Sequence, residues 1–146
     1  MTQFHFTVWP DFGVPTSPTP LLLFVRRVTA MHPTNRGPMI VHCSAGVGRS
    51  GTFITIQSML KMIEAEKKID VFVFVRNMRY RRCLMVQTEA QYIFIHDALL
   101  EAIECGDTEV PARDLTRQYK GLQQIDEKSG KALLELELKV YFLHPI

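Results

Sequence analysis

The 146-residue sequence has no long hydrophobic run and no leader-like amino terminus. Its longest apolar runs, residues 21–25 and 71–75, fall far short of the roughly 20 residues that cross a bilayer. The first twelve residues, MTQFHFTVWPDF, lack the basic and then apolar pattern of a secretory leader. We therefore expect neither a membrane-spanning segment nor a secreted protein.

Cysteine is scarce, and charge of one sign is not concentrated. The three cysteines, Cys43, Cys83 and Cys105, are odd in number and form no C-x-x-C pair, which favours a reducing cytoplasmic compartment with at least one free thiol. The net charge is only +2, and acids and bases are interspersed, so no nucleic-acid partner is expected. With 47% hydrophobic residues, the composition is typical of one globular unit with a modest core.

The hydrophobic periodicity predicts an α/β protein. Short alternating or apolar runs predict strands, whereas apolar residues three and four apart, together with capping residues, predict helices. Residues 70–75 stay open between the two, because their β-branched residues favour a strand while the Arg-rich stretch that follows is compatible with a helix. The predicted strands are residues 4–8, 39–41 and 134–140, and the predicted helices are residues 18–31, 53–68, 88–106 and 112–124.

Residues 40–53, IVHCSAGVGRSGTF, run from a strand-like segment through a glycine-rich turn into a helix. The turn matches the G-x-G-x-x-G pattern of dinucleotide-binding proteins, but that fold needs an acid after a second strand, whereas Asp70 precedes an apolar run as a helix N-cap would. A Walker loop needs Lys before Ser or Thr, and here Arg49 precedes Ser50. Both nucleotide interpretations are therefore disfavoured.

The same stretch suits attack on a phosphate ester by a thiolate. Cys43 would open a loop whose backbone N–H groups, at a helix N-terminus, stabilise both the thiolate and a phosphate. Arg49 could hold two phosphate oxygens with its guanidinium, and Ser50 could donate its hydroxyl to the sulfur. Gly46, Gly48, Gly51 and Ala45 would let the loop backbone approach the oxyanion closely, and His42 would orient the loop.

Phosphate-ester cleavage also needs an acid and a positioned water. Asp11, between Trp9-Pro10 and Gly13, suits a general acid on a mobile loop, although an Asp after Pro is also a common turn former. Gln87 and Gln91 carry amides that could position the hydrolytic water. For Gln91 a capping-box role with Thr88 is an equal alternative, and for Gln87 the alternative is a solvated loop amide.

In this order, the stretches Trp-Pro-Asp, HCSAGVGRSG and QTEAQY at residues 9–11, 42–51 and 87–92 resemble the tyrosine-specific protein phosphatases. Residues 26–28, 92–102 and 106–113 are similar to the active, membrane-proximal domain of receptor-type members of the LAR group. The resemblance implies a phosphatase fold with a strand, phosphate loop and helix at its centre, and a helical segment at residues 70–82. It covers only the carboxyl-terminal half of that domain, residues 1–125, and leaves residues 126–146 as a linker-like tail.

The resemblance implies hydrolysis of phosphotyrosine in proteins through a phosphocysteine, without metal or cofactor. It also implies an intracellular location and, in a longer protein, a second phosphatase-like domain as a partner. The alternative is a module that binds phosphotyrosine with little turnover, because the family's pocket-forming tyrosine loop is outside this stretch. The implied catalytic residues are Cys43, Asp11, Arg49, Ser50, Gln87 and Gln91. The implied substrate-binding residues are Asp11, Ser44, Ala45, Gly46, Val47, Gly48, Arg49 and Gln87, with His42 and Trp9 as orienting residues.

Overall fold

The computed structural model describes residues 2–10, 13–32, 37–106 and 109–143, with side chains as far as residue 138. These residues form helices and connecting loops in two compact units, Met1–Ala102 and Ile103–Ile146. In chain order the helices are α1 (Thr19–Ala30), α2 (Gly48–Glu66), α3 (Val71–Arg81), α4 (Glu89–Cys105), α5 (Leu115–Leu122) and α6 (Leu133–Leu143), with a 3-10 turn at Ala112–Asp114. No helix in the described part of the chain is long and apolar enough to cross a membrane.

The helices predicted from apolar periodicity are confirmed. α2 ends where Lys67 adopts a left-handed backbone with φ 57°, a common way to stop a helix. At the start of α4, the Thr88 hydroxyl accepts a hydrogen bond from the Gln91 N–H at 3.2 Å, as an N-cap does. The helix predicted at residues 112–124 forms as the 3-10 turn followed by α5.

The open segment at residues 70–75 is the start of α3. The Asp70 carboxylate accepts a hydrogen bond from the Val73 N–H at 2.9 Å, which confirms Asp70 as the N-cap. Val71 and Val75 are buried, whereas Phe72 is exposed. Burial of residues four apart is the pattern of a helix face, so tertiary packing outweighs the strand preference of the valines.

The structure does not confirm the predicted strands at residues 4–8 and 39–41, and it corrects the one at residues 134–140 to a helix. Residues 4–8 and 39–41 are irregular, and Ile40, expected inside a buried strand, is 83% exposed. A strand is stable only when a neighbour takes its backbone hydrogen bonds, and neither segment has such a neighbour among the described residues. Residues 134–140 lie in α6, because leucine, glutamate and lysine are strong helix formers whose alternation does not outweigh that preference.

The core of the first unit lies between α1, α2 and α4. Its fully buried side chains include Leu21, Ile56 and Ile95, one from each of these helices. The non-helical amino-terminal segment is tied to this core by aromatic contacts, since the Phe6 ring lies 5.2 Å from Phe24. This core fixes the amino-terminal ends of α2 and α4, where most of the predicted site residues lie.

Candidate active site

The cysteine loop, residues 43–47, leads directly into the N-terminus of α2. The Gly46 N–H donates a hydrogen bond to Cys43 Sγ at 3.2 Å. Gly46 makes this turn with φ 70°, a left-handed conformation that glycine adopts without strain. The Cys43 sulfur, half buried, therefore lies beside backbone donors and near a helix N-terminus, where negative charge is stabilised.

The surroundings of Cys43 favour its thiolate. Partial burial raises the pKa of the Cys43 thiol, but donors on the Ser50 side chain and on the backbone of Ser50, Gly46 and Val47 outweigh it and lower the pKa. The Ser50 hydroxyl is buried and makes no hydrogen bond of normal geometry in the described part of the chain. The Gly46 N–H is therefore the well-aligned donor to the sulfur, and the Ser50 hydroxyl is a poorly aligned one.

The lowered pKa predicts that Cys43 is alkylated at a lower pH than an ordinary thiol. Because the thiolate is the reactive form, a lower pKa moves the rise of the iodoacetamide rate with pH below the usual thiol value of about 8.5. Replacing Ser50 with alanine removes one donor and should move this rise back to higher pH. Mass spectrometry of the Cys43 peptide gives the rate, with the urea-unfolded chain as control. Equal profiles for folded and unfolded chain would contradict the prediction.

Arg49, on the first turn of α2, reaches the Trp-Pro segment. Its Nη2 donates to the Pro10 carbonyl oxygen at 3.1 Å. Trp9 is buried, and its Nε1 donates to the Gly13 carbonyl oxygen at 3.1 Å. This hydrogen bond connects residues 9 and 13. Asp11, predicted as the general acid, lies outside the described residues.

The two glutamines lie together beside α2. Gln91 is buried, and its Oε1 accepts a hydrogen bond from the Gln87 N–H at 2.9 Å. In a capping box, the Gln91 side chain would accept from the Thr88 N–H instead, so only the Thr88 half of that motif is formed. A Cβ built on Gly48 would lie 2.9 Å from Gln91 Nε2 and 3.2 Å from Gln87 Oε1. The two amides thus border the residue that begins α2, next to the cysteine loop.

The other predicted residues differ in their exposure. His42, Ser44 and Ala45 are exposed, and Val47 is buried. Within the described part of the chain, no group of three or more His, Cys, Asp or Glu side chains lies close enough together to hold a metal ion. The predicted site groups that the structure describes are the Cys43 thiol, the Ser50 hydroxyl, the Arg49 guanidinium, the Gln87 and Gln91 amides and backbone donors.

Two arginines at the end of α3 were missed by the sequence reasoning. Arg82 donates from Nε and Nη2 to the Gly46 and Ala45 carbonyl oxygens, both at 3.1 Å. Arg79 donates from Nε to the Met85 carbonyl oxygen at 2.9 Å and from Nη2 to that of Val86. The only signal in the sequence is the Arg-rich stretch, which does not reveal what the guanidinium groups contact.

The glutamine loop, residues 85–88, is preceded by a residue in a strained conformation. Leu84 has φ 62° and is 58% exposed. A side chain in the left-handed region costs roughly 1–2 kcal/mol, which glycine avoids.

Replacing Leu84 with glycine should therefore stabilise the fold. The higher entropy of glycine in the unfolded chain offsets part of this gain, so we expect the free energy of unfolding to rise by about 0.5–1 kcal/mol. The matched control is Leu115→Gly, since Leu115 is 61% exposed but has φ −54° and should lose stability instead. Urea unfolding measures both, and a loss of stability in the Leu84 variant would refute the role of strain.

A thiol at a helix N-terminus, an arginine on the first turn of that helix and a pair of glutamines are groups that suit the binding of an anion. The family model of the protein-tyrosine phosphatases matches residues 1–101, and the chain belongs to this family.

Individual relatives are receptor-type members of this family. The chain is 56% identical over 137 residues to receptor-type tyrosine-protein phosphatase S of Gallus gallus, which is 94% of this chain and 9% of that protein. It is 53% identical over 140 residues to receptor-type tyrosine-protein phosphatase F of Homo sapiens, which is 96% of this chain and 7% of that protein. It is 55% identical over 137 residues to receptor-type tyrosine-protein phosphatase F of Danio rerio, which is 94% of this chain and 7% of that protein. The chain thus spans less than a tenth of the length of these relatives.

Proposed function

We propose that this chain belongs to a receptor-type phosphatase that hydrolyses phosphotyrosine in proteins through a phosphocysteine intermediate. The observation that carries the proposal is the hydrogen bond from Gly46 N–H to Cys43 Sγ, 3.2 Å long, at the N-terminus of α2. A site that stabilises a thiolate also stabilises a phosphate dianion, because both are held by the same inward N–H groups. The family membership of the chain supports this choice.

In the first step, the Cys43 thiolate attacks phosphorus, and the bond from phosphorus to the tyrosyl oxygen breaks. Asp11 gives its proton to that oxygen, so tyrosine leaves as a neutral phenol. Arg49 and the N–H groups of the cysteine loop hold the non-bridging oxygens, where charge is concentrated in the transition state. The contact of Arg49 with Pro10 supports this assignment, because it brings the guanidinium to the residue beside Asp11.

In the second step, water attacks the phosphocysteine, and the phosphorus–sulfur bond breaks. Gln87 and Gln91 position the water, and the Asp11 carboxylate takes its proton. The thiolate leaves more readily because its pKa is lowered, and the buried Ser50 hydroxyl gains the sulfur as its acceptor. Inorganic phosphate is the product, and Cys43 returns to its starting state.

The family fold implies further features of the whole protein. We infer an α/β core in which residues 4–8 and 39–41 act as strands, since these segments are non-helical and carry apolar side chains. We also infer a location on the intracellular side of the membrane, phosphotyrosine-containing proteins as substrates, and a second phosphatase-like domain as a partner, as in a receptor-type protein.

Release of phosphate from a phosphotyrosyl peptide tests the proposal. The purified 146-residue chain should release several equivalents of phosphate per equivalent of protein. The alternative function, a module that binds phosphotyrosine without turnover, predicts binding of one equivalent of peptide and no phosphate release. The exposed apolar side chains of the first unit, among them Val8, Ile40 and Phe72, favour this alternative for the chain by itself.

A further inference from the structure

Arg79 and Arg82 each hold two consecutive backbone carbonyls. Arg82 holds those of Ala45 and Gly46 in the cysteine loop. Arg79 holds those of Met85 and Val86 in the glutamine loop. The two arginines are three residues apart at the end of α3, so one helix is attached to both loops of the candidate site.

The carbonyls that Arg82 holds belong to the same peptide planes as two N–H groups of the cysteine loop. In a trans peptide, the carbonyl and the N–H of the next residue point in opposite directions. The carbonyl of Ala45 shares its peptide plane with the N–H of Gly46, which donates to Cys43 Sγ at 3.2 Å. The carbonyl of Gly46 shares its plane with the N–H of Val47, a backbone group that helps to lower the pKa of Cys43.

The carbonyls that Arg79 holds likewise belong to the same peptide planes as two N–H groups of the glutamine loop. The carbonyl of Met85 is opposite the N–H of Val86, which donates to the Val47 carbonyl oxygen at 3.2 Å. The carbonyl of Val86 is opposite the N–H of Gln87, which donates to Gln91 Oε1 at 2.9 Å. Val86 itself is buried with φ 59°, a conformation that a β-branched residue keeps only when its surroundings hold it there.

We propose that Arg82 and Arg79 are positioning residues, which aim the N–H groups of the cysteine loop at the sulfur and align the paired glutamines. A hydrogen bond from a charged guanidinium to each carbonyl also polarises the peptide group, so the N–H of that peptide becomes a stronger donor. Arg82 therefore acts on thiolate and anion binding, and Arg79 acts on the hydrolysis of the intermediate. The assignment of steps rests on the proposed function, whereas the aiming of the N–H groups does not.

The test compares three arginine-to-lysine variants of the chain, R82K, R79K and R81K. Lysine keeps the charge but lacks the planar pair of donors that holds two carbonyls at once. Arg81 is exposed on the same helix, so R81K controls for the substitution itself. Four properties are measured: the pH profile of Cys43 alkylation, its protection by orthovanadate, hydrogen exchange of the Val86 and Gln87 amides, and the burst and steady-state rates with a phosphotyrosyl peptide.

The two loops should respond separately. R82K should raise the pH of half-maximal alkylation by about one unit and weaken vanadate protection about tenfold. Both changes follow because the loop then stabilises the Cys43 thiolate and the bound vanadate less well. R79K should leave both unchanged, speed exchange of the two amides about tenfold, and lower kcat about tenfold with a burst of dephosphorylated peptide, since the second step slows.

The proposal is overturned if R79K and R82K both match R81K, or if each changes all the properties by one factor together with the melting temperature. If the unsubstituted chain releases no phosphate, the proposed function fails instead. Alkylation and amide exchange need no turnover, so they still decide whether the two arginines aim these N–H groups.

Discussion

Replacing Cys43 with serine should abolish phosphate release, lowering kcat/KM by at least about 10⁴-fold, as losses of a nucleophile do. Serine fits the same space, but its hydroxyl is far less acidic than a thiol. The donors that lower the pKa of Cys43 cannot make serine an anion near neutral pH. The anion site itself remains, so the Cys43→Ser variant should still bind a phosphotyrosyl peptide while releasing no phosphate.

The matched control is Cys83→Ser, because Cys83 is exposed and lies outside the cysteine loop. This variant should keep its activity within about twofold, as surface substitutions usually do. Steady-state release of phosphate and peptide binding by calorimetry measure the two halves of the prediction. Hydrolysis that survives in Cys43→Ser, or disappears in Cys83→Ser, would show that a different group carries the chemistry.

Helices α1, α2, α4 and α5 could be predicted from the sequence because their signals are local, whereas α3 stayed open and α6 was predicted as a strand. Each long helix has apolar residues at a helical spacing, and two of them begin at a recognisable cap, Asp70 for α3 and Thr88 for α4. The strands could not be confirmed, because a strand depends on a neighbour that the sequence of the strand does not specify. Residues 39–41 have the apolar composition of a buried strand, yet Ile40 is exposed where no neighbour covers it.

The glycines of the site illustrate a second limit. From the sequence, they were expected to make room for an oxyanion. The structure also gives each one a protein neighbour: a Cβ on Gly46 would approach Arg82, one on Gly48 would meet Gln91, and one on Gly51 would meet Val86. The sequence pattern therefore predicts a use for these glycines but not the protein contacts that a Cβ would disturb.

The arginines at the end of α3 could not be predicted for the same reason. Arg79, Arg81 and Arg82 are alike as letters in a basic stretch, and only their position on the helix end distinguishes them. Arg79 and Arg82 reach carbonyl groups of two loops. A contact between a side chain and distant backbone leaves no spacing pattern, in contrast to a helix face or a capping box.

Gly51→Ala should destabilise the first unit by about 2–4 kcal/mol. Alanine would place its Cβ 2.5 Å from the Val86 backbone nitrogen and 3.2 Å from the Met85 carbonyl carbon. These are backbone atoms that Arg79 holds, so they cannot rotate away as a side chain would. Overpacking of this kind costs about 1–3 kcal/mol, and a lost hydrogen bond from Val86 N–H to Val47 costs about 1 kcal/mol more.

The intrinsic preference of alanine for helices works against this loss, and a control separates the two effects. Gly121 lies in α5 with no neighbouring atom within 4 Å of a built Cβ. Gly121→Ala should therefore gain about 0.5–1 kcal/mol, the usual advantage of alanine in a helix. Urea unfolding of both variants gives the free energies. Because Val86 precedes Gln87, Gly51→Ala should also slow phosphate release under conditions where the chain stays folded. A Gly51 variant as stable as Gly121→Ala would mean that α2 and the glutamine loop are not in tight contact.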